Sequence, residues 1–256
     1  MNHLTRSLLI TGILGLAATA SAADYPHHNA KHWDIGLQGG LGWGSLDTQS
    51  SYYEYTSSYD QQELHDGTYK KAVGLFGAHL GYEYMDGNNS WELAFAAQAG
   101  FGNVAGEHYV NLAADSDAAS INESVKPKHV YDLKLNWKHF IYSDMYFTFG
   151  MGASRLEAEN TLSIYANDVT DADVHQIVQG QTLHATGLVV SMGMGYLLTD
   201  DSSFDMGLSF YNYGSRSLER SPQIDAADGG DTPEYLQNRK NQLSMVALTV
   251  GYSHYF

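Results

Sequence analysis

Seven charged side chains are set among large apolar or aromatic neighbours. Asp34 lies between Trp33 and Ile35, Glu83 between Tyr82 and Tyr84, and Glu92 between Trp91 and Leu93; Asp132 and Lys134 flank Leu133, Lys138 follows Trp137, and Asp205 lies between Phe204 and Met206. On an extended backbone, successive side chains point to opposite faces, so each charge looks away from its greasy neighbours. The chemistry open to such a set is ion pairing, because an isolated charge in an enclosed space costs far too much free energy. Lys134 and Lys138 face the same way on one strand, with Asp132, and the other acids are spread along other strands. The spacing predicts a salt-bridge network, with Lys138, Asp34, Glu83, Glu92 and Asp205 at one end of an enclosed polar interior. A narrow ion path is the alternative reading of the same residues.

Other reactive side chains are less organised. His65 beside Asp66, His108, His175 and His184 are candidate bases, and Ser124 and Ser163 candidate nucleophiles, but no spacing ties them into a triad. Ser253-His254 is adjacent rather than spaced. The reading is therefore a protein that is not an enzyme and has no cofactor. Acidic runs at Asp115 and Asp117, at Asp168, Asp171 and Asp173, and at Asp225, Asp228 and Asp231 offer oxygen ligands suited to Ca²⁺ or Mg²⁺. Asp168-x-x-Asp171-x-Asp173 lacks the glycine and terminal glutamate of a calcium loop. His27, His28 and His32 are imidazoles close together, but their spacing in an N-terminal tail defines no specific metal site. No metal site is expected. Tyr52, Tyr53, Tyr55, Tyr59 and Tyr165, among serines and asparagines, have the composition of adaptable binding surfaces.

The elements that must position these residues announce themselves by a two-residue period. Trp33, Ile35, Leu37, Leu41 and Trp43 alternate with Asp34, Gly36, Gln38, Gly40 and Gly42. The same alternation recurs near 75–84, 91–102, 131–138, 145–152, 187–198, 204–211 and 245–256, which makes eight strands. Short connections at Asp86 to Ser90, Ser143-Asp144 and Thr199 to Ser203 alternate with long ones near 47–68, 103–127, 157–181 and 214–239. The long ones carry 19 of the 29 acids. Aromatics gather beside the short turns: Trp33, Tyr84, Trp91, Trp137, Phe147, Tyr196 and Phe204. Such rings suit a membrane interface, where an amphipathic side chain can sit at headgroup depth. With an apolar face against hydrocarbon, only a closed barrel satisfies every backbone group. The expected fold is all-β: an eight-stranded antiparallel up-and-down transmembrane barrel, with short periplasmic turns and four long extracellular loops.

The N-terminus reads as a secretory signal peptide over residues 1–22. Arg6 supplies the charge, Leu8 to Ala18 the apolar run, and Ala20-Ser21-Ala22 the cleavage pattern. A periplasmic segment, 23–32, and the barrel, 33–256, follow in this reading, with export through the Sec route. Removing 1–22 takes away one base and no acid, leaving 12 basic against 29 acidic residues, a balance of −17. Nucleic acid is excluded as a partner, since phosphate binding needs positive charge. The chain has no cysteine, so no disulfide holds it.

The last strand ends Val250-Gly251-Tyr252-Ser253-His254-Tyr255-Phe256. Gly251, the alternating Tyr252 and His254, and terminal Phe256 resemble the C-terminal signal of outer-membrane proteins, with His254 replacing the usual aromatic. With the eight strands, the chain resembles the small outer-membrane β-barrel superfamily of opacity proteins, the OmpA transmembrane domain and the Ail/OmpX adhesins. The resemblance implies a monomeric, porin-like barrel in the bacterial outer membrane, in contact with lipid and lipopolysaccharide and read by the barrel assembly machinery. Function is expected in the acidic, Tyr-rich loops: adhesion to a host or cell-surface ligand, or surface recognition. A structural, envelope-stabilising barrel and a small-solute channel are the alternatives.

Overall fold

The computed structural model describes residues 31–56, 59–111, 118–167, 174–219 and 234–256. These residues form nine strands: β1 (Lys31–Thr56), β2 (Tyr59–Asp86), β3 (Asn89–Phe101), β4 (Val104–Asn111), β5 (Ala118–Phe140), β6 (Met145–Asn167), β7 (Val174–Thr199), β8 (Ser202–Glu219) and β9 (Glu234–Tyr255). Neighbouring ladders run β3-β2-β1-β9-β8-β7-β6-β5, and β5 pairs back to β3, so the sheet closes on itself. All the ladders are antiparallel. β4 pairs with β5 directly beyond β3, from Val104↔Val125 to Asn111↔Ala118. β3 and β4 are thus two pieces of one stave, broken at Gly102-Asn103, where Gly102 has φ +89°. A side chain there would be strained by that left-handed backbone. The ring has eight staves, as the alternation predicts. The first and last strands pair from Asp34↔Tyr255 upward, and reciprocal backbone bonds join Trp33 and Phe256 at 2.9 and 3.0 Å.

The two faces of the wall are chemically opposite. Outward, Trp33, Ile35, Leu37, Leu41 and Trp43 are 48–65 % exposed, while inward Asp34 is 1 % exposed. Phe76, Leu80, Tyr82 and Tyr84 on β2, and Trp91, Leu93 and Phe95 on β3, continue the outer belt. Residues 33–43 make a band roughly 25 Å tall at ~45° tilt, the height of the hydrocarbon zone. A ring with this belt is built for lipid, because a closed set of ladders leaves no edge unpaired.

The strands run far past the belt. Among the described residues, the long connections of the sequence are largely wall: β1 and β2 stay in register from Lys31↔Tyr84 to Thr56↔Tyr59. β2, at 28 residues, is about 90 Å long along its own axis. β1 also takes in Lys31 and His32, which the sequence reading leaves in the preceding segment. The acids Asp115, Asp117, Asp168, Asp171, Asp173, Asp225, Asp228 and Asp231, the signal segment, His27 and His28 lie outside the described residues.

The interior is layered. At the short-turn end, Phe140, Tyr146, Leu197 and Tyr255 pack into an aromatic floor with Met85. Charged residues come next, then a cavity of about 100 Å³ lined by Gln38, His79, Glu92, Lys134, Lys138 and Asp205 among others. Toward the long-hairpin end the lumen holds a large apolar cluster that includes Leu46, Val73, Val125, Val130, Val189 and Leu243, with a buried polar group beside it in which Asn241 donates to Glu123 at 2.6 Å.

Candidate functional site

The strongest concentration of chemistry is the charged layer between the aromatic floor and the cavity. β1 supplies Asp34, β2 His79 and Glu83, β3 Glu92, β5 Lys138 and β8 Asp205. All come from the inward parity of their strands, so the alternation that points leucines at lipid also points these charges at one another. Lys138 is the hub. Its Nζ lies 2.7 Å from Glu83 Oε2 and 3.0 Å from Glu92 Oε2. It also sits 5.6 Å from the ring centroids of both Tyr146 and Tyr255, within range of a cation–π contact.

Each acid has its own set of partners. Glu83 accepts from the Ser90 hydroxyl and lies 3.2 Å from His32 Nε2. Glu92 accepts from Asn136 Nδ2 at 3.3 Å. Asp205 accepts from Tyr146 at 2.6 Å and from Ser203 at 3.0 Å. Asp34 faces His79, whose Nε2 is 3.2 Å from Oδ1. Asp132 stands one layer higher, where Gln98 and Tyr211 donate to it at 3.2 and 3.1 Å. Lys134 lines the cavity beside it. The structure therefore brings Asp34, Glu83, Glu92, Lys138 and Asp205 into one layer and sets Asp132 and Lys134 above it. Sequence reasoning missed His79, Tyr146 and Tyr255. His79 shares the parity of Glu83, four residues away, and that parity is the signal that finds it.

The outer aromatic residues fall into lateral pairs at the short-turn end. Tyr84 is opposite Trp91, Trp91 opposite Trp137, and Tyr196 opposite Phe204. Phe147 lies between His139 and Met194. Trp33 packs on Tyr82 with ring centroids 5.0 Å apart. On the terminal strand Tyr252, His254 and Phe256 point outward, and Gly251 is half-buried on the inner side. Of the candidate bases, His184 is on the outer wall with Nδ1 3.7 Å from Glu157. The side chains of His65, Asp66, His108 and His175, and of the tyrosines at 52, 53, 55, 59 and 165, lie outside the described residues.

Ring closure, the outward apolar belt and the packed polar interior define the class: a transmembrane β-barrel of the bacterial outer-membrane type. No protein-family model and no curated protein sequence matches the chain. Solved structures that it resembles are outer-membrane barrels. The outer membrane protein OprG from Pseudomonas aeruginosa matches at 16% identity and TM-score 0.45, over 89% of this chain and 98% of that one. Ail, the attachment invasion locus protein of Yersinia pestis, matches at 11% identity and TM-score 0.36, over 86% of this chain and 98% of the other. The outer membrane protease OmpT from Escherichia coli matches at 10% identity and TM-score 0.32, over 86% and 97%. That last match corrects one expectation. The sequence reading of a protein that is not an enzyme is withdrawn, because a protease stands among the barrels that the chain resembles.

Proposed function

We propose that the barrel is a post for surface presentation. In this reading its wall lifts acidic, tyrosine-rich hairpins clear of the outer leaflet, where they meet a host or cell-surface ligand. The observation that carries the reading is the β1–β2 ladder, which continues without a register shift from the belt to Thr56↔Tyr59. Tyr52, Tyr53, Tyr55 and Tyr59 sit along its far end. A ladder of that length is a costly way to join two strands, since a two-residue loop at the membrane surface would serve a bare barrel. It is an effective way to hold a recognition surface at a fixed distance, because ordering the segment in advance lowers the entropy lost on binding.

The interior supports presentation over conduction. Leu46 and Val130 are fully buried in the apolar cluster, so an ion crossing the lumen would have to shed its water against hydrocarbon. The outward Tyr252, His254 and Phe256 suit recognition by the barrel assembly machinery, and the belt suits contact with lipid and lipopolysaccharide.

The test is a shortened hairpin. Residues 49–66 are replaced by Asn-Gly, joining the cross-strand pair Thr48 and Gly67. Binding of cells displaying the protein to epithelial cells and to immobilised matrix is then measured. The expected result is loss of binding by the shortened form while its heat-modifiable gel mobility, the sign of a folded barrel, is kept. Equal binding by the two forms would overturn the reading.

A further inference from the structure

The charged layer is not balanced. Four acids, Asp34, Glu83, Glu92 and Asp205, share the layer with one lysine, Lys138, and with His32 and His79, while Lys134 lines the cavity above. Three of the acids have donors on both oxygens or a direct bond to Lys138, as described above. Asp34 does not. It is 1 % exposed, and its Oδ2 has no hydrogen-bond partner. A buried carboxylate oxygen without a donor costs a large part of its hydration free energy. The contact with His79 engages Oδ1 and leaves Oδ2 without a partner.

The surroundings of Oδ2 have the shape of a cradle. Gly81 is the cross-strand partner of Asp34. A Cβ on Gly81 would collide with Asp34 Oδ2 and lie 2.5 Å from Glu92 Oε1, so the two oxygens converge over the bare glycine. Gly36, opposite His79, likewise leaves room for the imidazole, since a Cβ there would come within 2.8 Å of Nε2. One ligand atom from each of Asp34, His79 and Glu92 can be chosen so that all lie within 4.8 Å of one another. Donors sharing an ion at ~2.0–2.2 Å in a tetrahedral site stand roughly 3.3–3.6 Å apart, a distance that small side-chain rotations reach. His79 and Glu92 also line the cavity, which gives a fourth position to water.

We propose that Asp34, His79 and Glu92 form a site for one divalent transition-metal ion of the Zn²⁺ class, inside the wall of the barrel. One imidazole and two carboxylates favour such an ion over Ca²⁺ or Mg²⁺, which prefer all-oxygen shells. The ion would tie β1, β2 and β3 together from within, give Oδ2 its missing partner and offset the excess negative charge. This departs from the sequence reading, which expects no metal.

The experiment uses the full mature chain refolded into detergent with Zn²⁺ and then desalted. Elemental analysis is expected to find one zinc per chain. His79→Gln, which keeps a polar side chain, is expected to hold at least tenfold less while retaining heat-modifiable mobility. Zn²⁺ is expected to raise the unfolding temperature of the parent and not of the variant. A His27→Ala/His28→Ala variant is expected to keep its zinc, and loss there would move the site to the tail and overturn the proposal. Zinc-free parent protein, or equal zinc in His79→Gln, would also overturn it. Should His79→Gln not fold, Co²⁺ added to the parent decides: ligand-field bands in the visible support the site, and their absence overturns it.

Discussion

The two halves of the lumen are enclosed by the same wall and solve opposite problems. In the lower half, Lys138, Glu83 and Glu92 are buried charges held by one another. In the upper half, Leu46, Val73, Val125 and Val130 are 0–2 % exposed and held by packing alone. The two-residue period dictates which side chains point inward and says nothing about what they must be. The hub of the lower layer rests on charge pairing and the apolar cluster above it on close-packed volume. The two layers should then fail differently when a single residue is removed.

The largest effect is expected in the lower layer. Lys138→Met leaves Glu83 and Glu92 buried without their cation and should cost about 3–5 kcal/mol, read as a lowered urea midpoint for loss of the compact gel form. Adding Glu83→Gln and Glu92→Gln to the same chain should recover most of the loss, because the unpaired charges leave with their partner. Recovery that fails would mean the layer is held by shape rather than charge. In the upper layer, Leu46→Ala opens a cavity and should cost about 3 kcal/mol in the same assay. No second substitution to a polar group should repair it, whereas refilling the volume from a neighbouring position should. Tyr146→Phe sharpens the boundary between the floor and the charges. It removes the 2.6 Å bond to Asp205 but keeps the ring, and should cost about 1–2 kcal/mol. The smallest effect belongs outside the lumen. Glu157→Gln weakens contacts to His129, Arg155 and His184 at 3.3–3.9 Å on the partly exposed outer wall, and should shift the midpoint by less than about 0.5 kcal/mol.

How much of this was legible from residue order follows from what each segment touches. Trp33-Asp34-Ile35 could be read because one face meets lipid and the other a polar interior, so hydropathy swings at every step. Past Trp43 that contrast fades. Ser45, Asp47 and Gln49 continue β1 with the same parity, but they are polar and give the outer face no greasy side chain. A strand without a greasy face looks like a loop, which is why the long connections hid so much of the wall. The apolar upper lumen was hidden for the complementary reason. Val73 and Leu75 point inward while Phe76 points outward, so both faces of β2 are apolar there and the period loses its sign. The acids of the charged layer were found because charge is conspicuous. His79 and Tyr146, which complete it, look like ordinary members of a mixed face. The end of β3 near Gly102 was legible, but its continuation as β4 from Val104 was not, since Val104–Asn111 carries no greasy outward face to mark it as wall.

The pairing of β1 with β9 also sets the order of events during assembly. Asp34 finds Tyr255 across more than two hundred intervening residues, so the last seam can be sewn only after every other stave exists. Until then both margins of the sheet stand open, and each is a template for the other or for a foreign strand. Both margins disappear in one event, when Phe256 reaches Trp33.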